Sequence, residues 1–352
     1  MGFSSVLRVA ALTAALIAPL AAQGPAQRPA PQGGGGGRGP QPTGPAAPGR
    51  VVGVTAFSHS VTDVDRAVQY YRDVFGFEVV EQPSSPVPDA AWQQLTNTEG
   101  YRYRSASMRL PRAGFVLRLM EFSGGDRRPG KPRQTDPGQT NLLLRVRDID
   151  AAFAAVTTAG AEIVSLGGKP VSGGNGAFAA LFSRDPDGYV IETVRAGQMP
   201  LPEPGEGNAW LGVIAMTTDD TNRKLGFYRD LLGFEMATGN WGGPQFIMDM
   251  VGAGSGEFRQ SNTTAGIPGT RDRLEFYEYR NIPAKTSFRP RLQDPPAGMV
   301  SLVVANLDEM ARLARAAAVP IVTVGGEPVR TGNSRRLVVQ DPDGVYIELI
   351  QQ

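Results

Sequence analysis

The chain has 352 residues, 41% of them hydrophobic, and this length predicts two domains. Its formal net charge of +1 provides no basic excess to neutralise phosphates, which argues against a nucleic-acid partner. The chain has no cysteine, so neither a disulfide nor a lipoprotein anchor is expected.

The first 50 residues predict a leader followed by a tether. Residues 9–22 form an apolar run that is too short to span a bilayer and ends in small residues, so residues 1–22 are predicted to be a signal peptide. An uncleaved membrane anchor is the alternative. Residues 23–50 are rich in Gly, Pro, Gln and Ala and are predicted to be disordered. The expected protein is secreted or periplasmic, with no membrane attachment in its mature form.

The remainder of the chain contains an internal repeat. The stretch "HSVTDVDRAVQYYRDVFGFEVV", beginning at His59, aligns without a gap with "MTTDDTNRKLGFYRDLLGFEMA", beginning at Met216. Later, "GGKPVSGGNGAFAALFSRDPDGYVIETV" matches "GGEPVRTGNSRRLVVQDPDGVYIELI". Residues 51–197 and 208–352 are therefore predicted to be two copies of one domain, joined by a linker at 198–207.

Each copy divides into two modules of the pattern βαβββ. In the first module, a strand over residues 51–60 leads to a helix that ends at Gly76, a C-terminal cap. In the second, the strand "TNLLLRVRD" leads to a helix with Asp148 or Asp150 as its N-cap. The tight turn "DPDG" precedes the last strand. The predicted fold is α+β, with four such modules in two tandem domains.

These stretches, together with "RVRDIDAAFAAVTTAGAEIV", resemble the vicinal oxygen chelate superfamily, which includes glyoxalase I, extradiol dioxygenases, and fosfomycin and bleomycin resistance proteins. The resemblance covers nearly all of residues 51–352. It implies that paired modules form a cupped sheet, in which four inward side chains can hold one divalent metal. The superfamily spans lyases, dioxygenases, epimerases, thiol transferases and metal-free binders, so the fold does not define the reaction.

The resemblance also implies which residues occupy the four ligand positions. In the family these are usually His or Gln, Glu, His and Glu. The matching residues of the first copy are His59, Glu121, Asn141 and Glu192, and those of the second copy are Met216, Glu278, Ser301 and Glu348.

The first copy is the candidate metal site. His59, Glu121 and Glu192 are the implied ligands for Fe, Mn, Ni or Zn, whereas Asn141 departs from the family pattern and is a weak ligand or a substrate contact. The second copy has no nitrogen donor and is predicted to support the fold. The alternative for His59, the only histidine, is a strand-end side chain bonded to the backbone.

Charge provides a separate argument. If the modules pair within a copy, Glu121 and Glu192 converge, and such a pair needs a metal, an arginine or a proton. Arg145 lies on the same strand face as Asn141 and is the rival cation. If the modules pair across copies, His59 and Glu121 face Ser301 and Glu348 instead. Pairing within a copy is the prediction adopted here.

The predicted function is that of an exported, divalent-metal-dependent lyase or dioxygenase-type enzyme acting on a small substrate with adjacent oxygens. Glu121 and Glu192 are the candidate catalytic carboxylates. Asn141, Arg145, Arg104 and Trp92 are the candidate substrate contacts. The alternatives are a metal-free binding protein of the bleomycin-resistance kind and a scaffold module. A small molecule is the expected partner, and the chain is expected to be a monomer, as a pseudo-dimer, or a homodimer.

Overall fold

The computed structural model describes residues 51–173, 176–197, 207–263 and 273–352. The predicted leader, the tether and residues 198–206 of the linker lie outside these residues, so the signal peptide and export remain predictions. No helix within the described residues is long and apolar enough to cross a membrane.

The described residues of the first copy form eight strands and three helices. Its first module comprises β1 Val51–Val61, α1 Val64–Phe75, β2 Glu78–Glu81, α2 Ala90–Thr96, β3 Arg102–Arg109 and β4 Val116–Ser123. Its second module comprises β5 Thr140–Val146, α3 Ile149–Thr158, β6 Val171–Gly173, β7 Phe178–Arg184 and β8 Val190–Ala196.

The second copy repeats this order. Its first module comprises β9 Ala209–Thr218, α4 Thr221–Leu225 with a π-helical continuation Gly226–Leu231, β10 Met236–Thr238, α5 Gln245–Met250, β11 Glu257–Thr263 and β12 Leu274–Arg280. Its second module comprises β13 Gly298–Val304, α6 Leu307–Ala316, β14 Val329–Thr331, β15 Ser334–Gln340 and β16 Tyr346–Gln351. The predicted α+β fold of four βαβββ modules is confirmed.

Local capping explains where four of the helices begin. The side chains of Asp63, Asp148, Asp220 and Asn306 accept hydrogen bonds from the first backbone N–H groups of α1, α3, α4 and α6. These N-caps satisfy donors that have no partner inside the helix. Gly76 ends α1 at φ +73°, a left-handed conformation that favours glycine.

The strands form two eight-stranded sheets, and each sheet takes half of its strands from each copy. Sheet A has the order β14-β15-β16-β13-β1-β4-β3-β2, and sheet B has the order β10-β11-β12-β9-β5-β8-β7-β6. The antiparallel pairs β1–β13 and β5–β9 join the two halves of each sheet. The prediction that modules pair within a copy is therefore wrong.

Strand patterning could not have chosen between the two pairings. The first strand of every module offers the same kind of backbone edge, so alternation of apolar residues fits either partner. Contacts between the copies support the observed choice. Thr323 Oγ1 donates to the carbonyl of Leu95 at the end of α2 at 3.0 Å, and Ser165 Oγ donates to the carbonyl of Met250 in α5 at 2.8 Å.

Each sheet has two differently occupied faces. The core face is the side whose apolar residues join a large central cluster with α1, α3, the π-helical segment and α6. The cleft face is the opposite side. A smaller cluster that includes Trp92 and Leu95 of α2 lies on the cleft face of sheet A. Another, including Ile247 and Met250 of α5, lies on that of sheet B.

The cross-copy pairing can be tested with one engineered disulfide. Ala56 and Ser301 are directly opposite in the β1–β13 pair, where Cβ atoms approach to about 4.5–5.5 Å. We expect the double variant Ala56→Cys/Ser301→Cys to oxidise, because the chain has no other cysteine to compete. Intact-mass spectrometry would show the loss of two hydrogens.

The matched control is Ala56→Cys/Leu143→Cys. Leu143 holds the place in the second module that Ser301 holds in the fourth, so pairing within a copy would cross-link this pair instead. Oxidation of the control in preference to the test variant would contradict the observed topology.

Candidate functional site

His59 lies on the core face of sheet A and is fully buried. Its Nε2 is 3.0 Å from Tyr71 Oη and 3.5 Å from Asp185 Oδ2, and its ring stacks on Tyr189 with centroids 4.4 Å apart. Its Nδ1 lies 3.4 Å from the backbone oxygen of Ser60. Both ring nitrogens thus face protein atoms within the core, so the imidazole is not presented to the cleft.

His59 lies beside the buried carboxyl group of Asp185. Burial lowers the pKa of His59 to about 4, opposed by the Asp187 carboxylate, and burial with Asp187 raises the pKa of Asp185 to about 7. Asp185 is the first residue of the "DPDG" turn, and its Oδ1 accepts from the backbone N–H groups of Asp187 and Tyr189. The His59–Asp185 contact therefore joins the first module to the second.

In the second copy, a lysine rather than a histidine lies beside the buried turn carboxylate. Met216 replaces His59, and its Sδ lies 3.3 Å from Tyr228 Oη. The turn carboxylate, Asp341, is paired with the buried Lys224 ammonium, which also lies 3.0 Å from Asp343 Oδ2. Lys224 aligns with Ala67 of the first copy, so the basic group has changed position between the copies.

Glu121 and Arg104 form a structural pair at the start of α1. Glu121 Oε2 accepts from the backbone N–H of Val64 at 2.9 Å and from Arg104 Nη2 at 2.7 Å. Arg104 also pairs with Asp65 at 2.8 Å. The prediction that Arg104 contacts substrate is not supported, because Glu121 and Asp65 hold its guanidinium on the face opposite to the cleft. Glu278 and Arg259 repeat the arrangement, with 2.6 Å between Glu278 Oε2 and Arg259 Nη2.

The expected metal set is not assembled. His59 and Glu121 occupy the core face of sheet A, whereas Glu192 belongs to β8 in sheet B. Because side chains alternate along a strand, a difference of one residue sends a ligand position to the opposite face. No group of three or more His, Cys, Asp or Glu side chains that could hold a metal occurs among the described residues.

Three of the predicted residues do come together on the cleft face of sheet B. Asn141, Arg145 and Glu192 are all buried there, and Asn141 Nδ2 lies 3.3 Å from Glu192 Oε2. Arg145 and Glu192 line a cavity of about 30 Å³, large enough for a water-sized group. The rest of the wall includes Gln260, Glu275 and Tyr277 of the second copy.

Glu275 lines the same cavity as Glu192, and the sequence analysis did not predict it as a site residue. Its Oε2 accepts from Tyr277 Oη at 2.8 Å and from Gln260 Nε2 at 2.9 Å, while Tyr277 Oη lies 3.5 Å from Glu192 Oε2. The signal was present in the alternation of "LEFYEYR". Leu274 and Phe276 belong to the central cluster, which places Glu275 and Tyr277 on the cleft face.

Burial and the neighbouring Glu275 both affect the ionisation of Glu192. Burial raises the pKa of Glu192 to about 8, and the neighbouring Glu275 adds to the rise, while Arg145, Asn141 and Tyr277 oppose it. A buried carboxyl pair of this kind retains a proton at neutral pH unless a cation replaces it. The cavity therefore contains a carboxyl group whose pKa is close to neutral pH.

The cleft face of sheet A has a different composition. The buried Glu348 accepts from Ser301 Oγ at 2.5 Å and from Arg336 Nη1 at 2.7 Å, and Arg118 Nη1 lies 3.8 Å away. Trp92, predicted to contact substrate, lies on this face and stacks on Tyr103. Trp92 is thus on a different sheet from Asn141, Arg145 and Glu192.

Strand register identifies equivalent positions in the four modules. Ser58, Leu143, Ala215 and Ser301 lie at the same distance before the N-cap of their module's helix. Their partners on the adjacent last strands are Arg118, Glu192, Glu275 and Glu348, respectively. Sheet B therefore has two glutamates at these positions and sheet A has one glutamate opposed by an arginine.

The oxygen donors of sheet B fit a hard divalent cation. Glu192 and Glu275 provide two carboxylates, and Gln260 Oε1 is buried without a hydrogen-bond partner among the described residues. Oxygen-only sets suit Mg²⁺ or Mn²⁺, which complete their coordination with water or substrate oxygens. Among the four ions expected from the sequence, manganese matches this set. In sheet A, the arginines around Glu348 oppose a cation.

Comparison with known proteins agrees with the fold. A sequence model of the Glyoxalase/Bleomycin resistance protein/Dioxygenase superfamily matches residues 54–193 and 210–349. Glyoxalase I from Zea mays has a similar structure, with a TM-score of 0.56 and 16% identity over 86% of this chain and 92% of that chain. At this identity the likeness shows the fold alone.

Curated relatives match part of the chain. A putative lactoylglutathione lyase of Brassica oleracea var. gemmifera is 25% identical over 178 residues, 51% of this chain and 54% of that protein. A 2-epi-5-epi-valiolone epimerase of Actinomyces sp is 34% identical over 113 residues, 31% of this chain and 60% of that protein. The chain thus spans about half the length of the lyase relative.

Replacing His59 and Ala67 with their second-copy counterparts, Met216 and Lys224, tests the structural role of His59. We expect His59→Met to lower the free energy of unfolding by about 1–3 kcal/mol, because Asp185 loses its basic neighbour. Adding Ala67→Lys should recover part of that loss by rebuilding the arrangement around Lys224. Urea denaturation of both single variants and the double variant measures the coupling. Strictly additive losses would contradict this role.

The raised pKa of Glu192 predicts that the stability of the metal-free protein depends on pH. The folded chain keeps this proton up to about pH 8, whereas an unfolded glutamate releases it near its ordinary pKa of 4.5. The folded state binds more protons in this window, so its stability falls as pH rises. In EDTA, Glu192→Gln should remove part of the fall, on the order of 2 kcal/mol. Parallel pH curves for the two proteins would contradict the raised pKa.

Proposed function

The chain belongs to the Glyoxalase/Bleomycin resistance protein/Dioxygenase superfamily, and from this premise we propose that it is a divalent-metal-dependent lyase or isomerase-type enzyme acting on a small substrate with adjacent oxygens. Its site is the cleft face of sheet B. The observation that carries the proposal is the buried Glu192–Glu275 pair, with Tyr277 Oη in contact with both carboxyl groups.

The chemistry of the pair favours proton transfer. A carboxyl group with a pKa of about 8 exchanges its proton efficiently near neutral pH. The ionised form of Glu192 takes a proton from a carbon next to the substrate carbonyl and returns it to the neighbouring atom, so the reaction needs no oxidant. Arg145, on the same wall, stabilises the negative charge that develops on the substrate oxygen.

A divalent cation at this site would be held by Glu192, Glu275 and the amide oxygen of Gln260. When bound, it supplies Lewis-acid polarisation of the substrate carbonyl. Tyr277 Oη, which lies between the two carboxyl groups, keeps them oriented towards the cavity.

The relatives support a lyase or an epimerase more than a dioxygenase. The matching curated proteins are named lactoylglutathione lyase and 2-epi-5-epi-valiolone epimerase. Partial coverage means that their substrates are not transferred to this chain. The proposal is therefore limited to a proton-transfer reaction on a small molecule with adjacent oxygens.

Metal-free small-molecule binding is the second candidate. The favouring observation is that Glu192 holds a proton near neutral pH, which neutralises the pair without a cation. Leu143 and Ala215, at the first-strand positions of sheet B, add no donor to the site. Ligand binding that EDTA does not change but that Glu192→Gln weakens would favour this candidate.

Metal binding tests the proposal directly. We expect the wild-type chain to bind one Mn²⁺, measured by elemental analysis after desalting and by calorimetry. Glu192→Gln and Glu275→Gln should each weaken binding by at least about tenfold, because each removes one of two carboxylate ligands. Both variants should also abolish deuterium incorporation into small α-hydroxyketones in D₂O.

Glu348→Gln is the matched control for metal binding, since Glu348 is the equivalent carboxylate of sheet A. It should bind Mn²⁺ like the wild type. If Glu192→Gln and the wild type bind Mn²⁺ equally, or if only Glu348→Gln loses it, the site is not on sheet B.

A further inference from the structure

On the cleft face of sheet A, two arginines lie beside one fully buried carboxylate. Arg118 and Arg336 both lie beside the single carboxylate of Glu348, at 3.8 Å and 2.7 Å. Glu348 is fully buried, whereas about a fifth of each arginine side chain reaches solvent. Among the described residues, the shortest Glu348 contacts are with Arg336 and Ser301, and Arg118 forms a longer pair. A second carboxylate, Glu81, lies at the exposed edge of this face and accepts from Ser107 Oγ at 2.6 Å, and Ser107 is opposite Arg118 in the β3–β4 pair. The buried part of the face therefore has two guanidinium groups and one carboxylate.

Buried donors on the same sheet lack acceptors. Ser58 Oγ, Trp92 Nε1 and Arg336 Nε have no hydrogen-bond partner among the described residues. Ser58 is fully buried and lies opposite Arg118 in the β1–β4 register, so its hydroxyl shares the cleft face. Leaving a buried donor without a partner is unfavourable, so an acceptor bound at this face would be stabilised by these donors.

An aromatic wall stands beside these donors. Trp92 stacks on Tyr103 with centroids 4.6 Å apart and an interplanar angle of 30°. Burial raises the pKa of Tyr103, and the charges of Arg118 and Arg336 oppose that rise. Tyr103 shares its strand face with Ser107, which is opposite Arg118 in the β3–β4 pair. Trp92 and Tyr103 belong to the first copy, whereas Arg336 and Glu348 belong to the second.

We propose that the cleft face of sheet A is a second binding site, which takes a monoanion with a carboxylate attached to a flat ring. The carboxylate pairs with Arg118 and the exposed part of Arg336, because guanidinium groups match carboxylate geometry. The ring lies against Trp92 and Tyr103, where aromatic faces attract one another.

This site is independent of the metal proposal. The equivalent positions of sheet B have two glutamates, so the arginine contacts proposed for the anion on sheet A are absent there. Titrations performed in EDTA therefore test the second site whether or not sheet B binds a cation.

Benzoate is the probe, added to the full chain in EDTA and followed by calorimetry. We expect saturable binding of one benzoate per chain with a Kd below about 1 mM. Arg118→Gln should raise Kd by about tenfold or more through loss of a charge-assisted pair. Trp92→Leu should weaken benzoate but leave acetate unchanged. Glu348→Gln should tighten benzoate, because it removes a negative charge from this face.

Two arginine variants locate the binding. Arg330→Gln alters an exposed arginine of β14, and Arg145→Gln alters an arginine of the sheet B cleft. Neither should change the Kd for benzoate. Arg118→Lys should bind more tightly than Arg118→Gln, since it keeps the charge, and circular dichroism would verify that every variant is folded.

Three results would overturn the proposal. The first is no saturable benzoate binding by the wild-type chain. The second is inorganic phosphate binding as tightly as benzoate, which would indicate a general anion site without a ring contact. The third is loss of benzoate binding in Arg145→Gln with no change in Arg118→Gln, which would assign the ligand to sheet B.

Discussion

The antiparallel pairing of first strands across the two copies is the constraint on which the rest of the structure depends. β1 pairs with β13 and β5 with β9, so each cleft face combines one module from each copy. Glu192 consequently meets Glu275, and Arg118 meets Glu348. Neither pair would exist if the modules of one copy shared a sheet.

The alternation of side chains along each strand then places every polar residue on either the core face or the cleft face. His59 and Glu121 lie on the core face, where the first adjoins a buried turn aspartate and the second binds the start of α1. The buried carboxylate of each "DPDG" turn has a basic neighbour, which is His59 in the first copy and Lys224 in the second. A lone histidine is thus explained by the interior of the protein rather than by the cleft.

Duplication has left two clefts of opposite character. Sheet B encloses two carboxyl groups around a cavity of about 30 Å³, which favours a cation or a proton. Sheet A directs Arg118 and Arg336 towards one carboxylate beside an aromatic pair, which favours an anion. Because the backbone register is equivalent in both sheets, this difference comes from a few side chains at the same positions.

The sequence by itself determined the modules, because the repeat, the Asp63 and Asp148 caps and the alternation of apolar residues are local patterns. Three of its candidate residues, Asn141, Arg145 and Glu192, lie in one module and on one face of its sheet, so their proximity also follows from local patterns. Only the tertiary structure decided that Glu275 completes their cavity and that His59 and Glu121 stay outside it. The physical reason is that backbone edges accept either partner, so contacts between distant segments choose the pairing and a one-residue register then chooses the face.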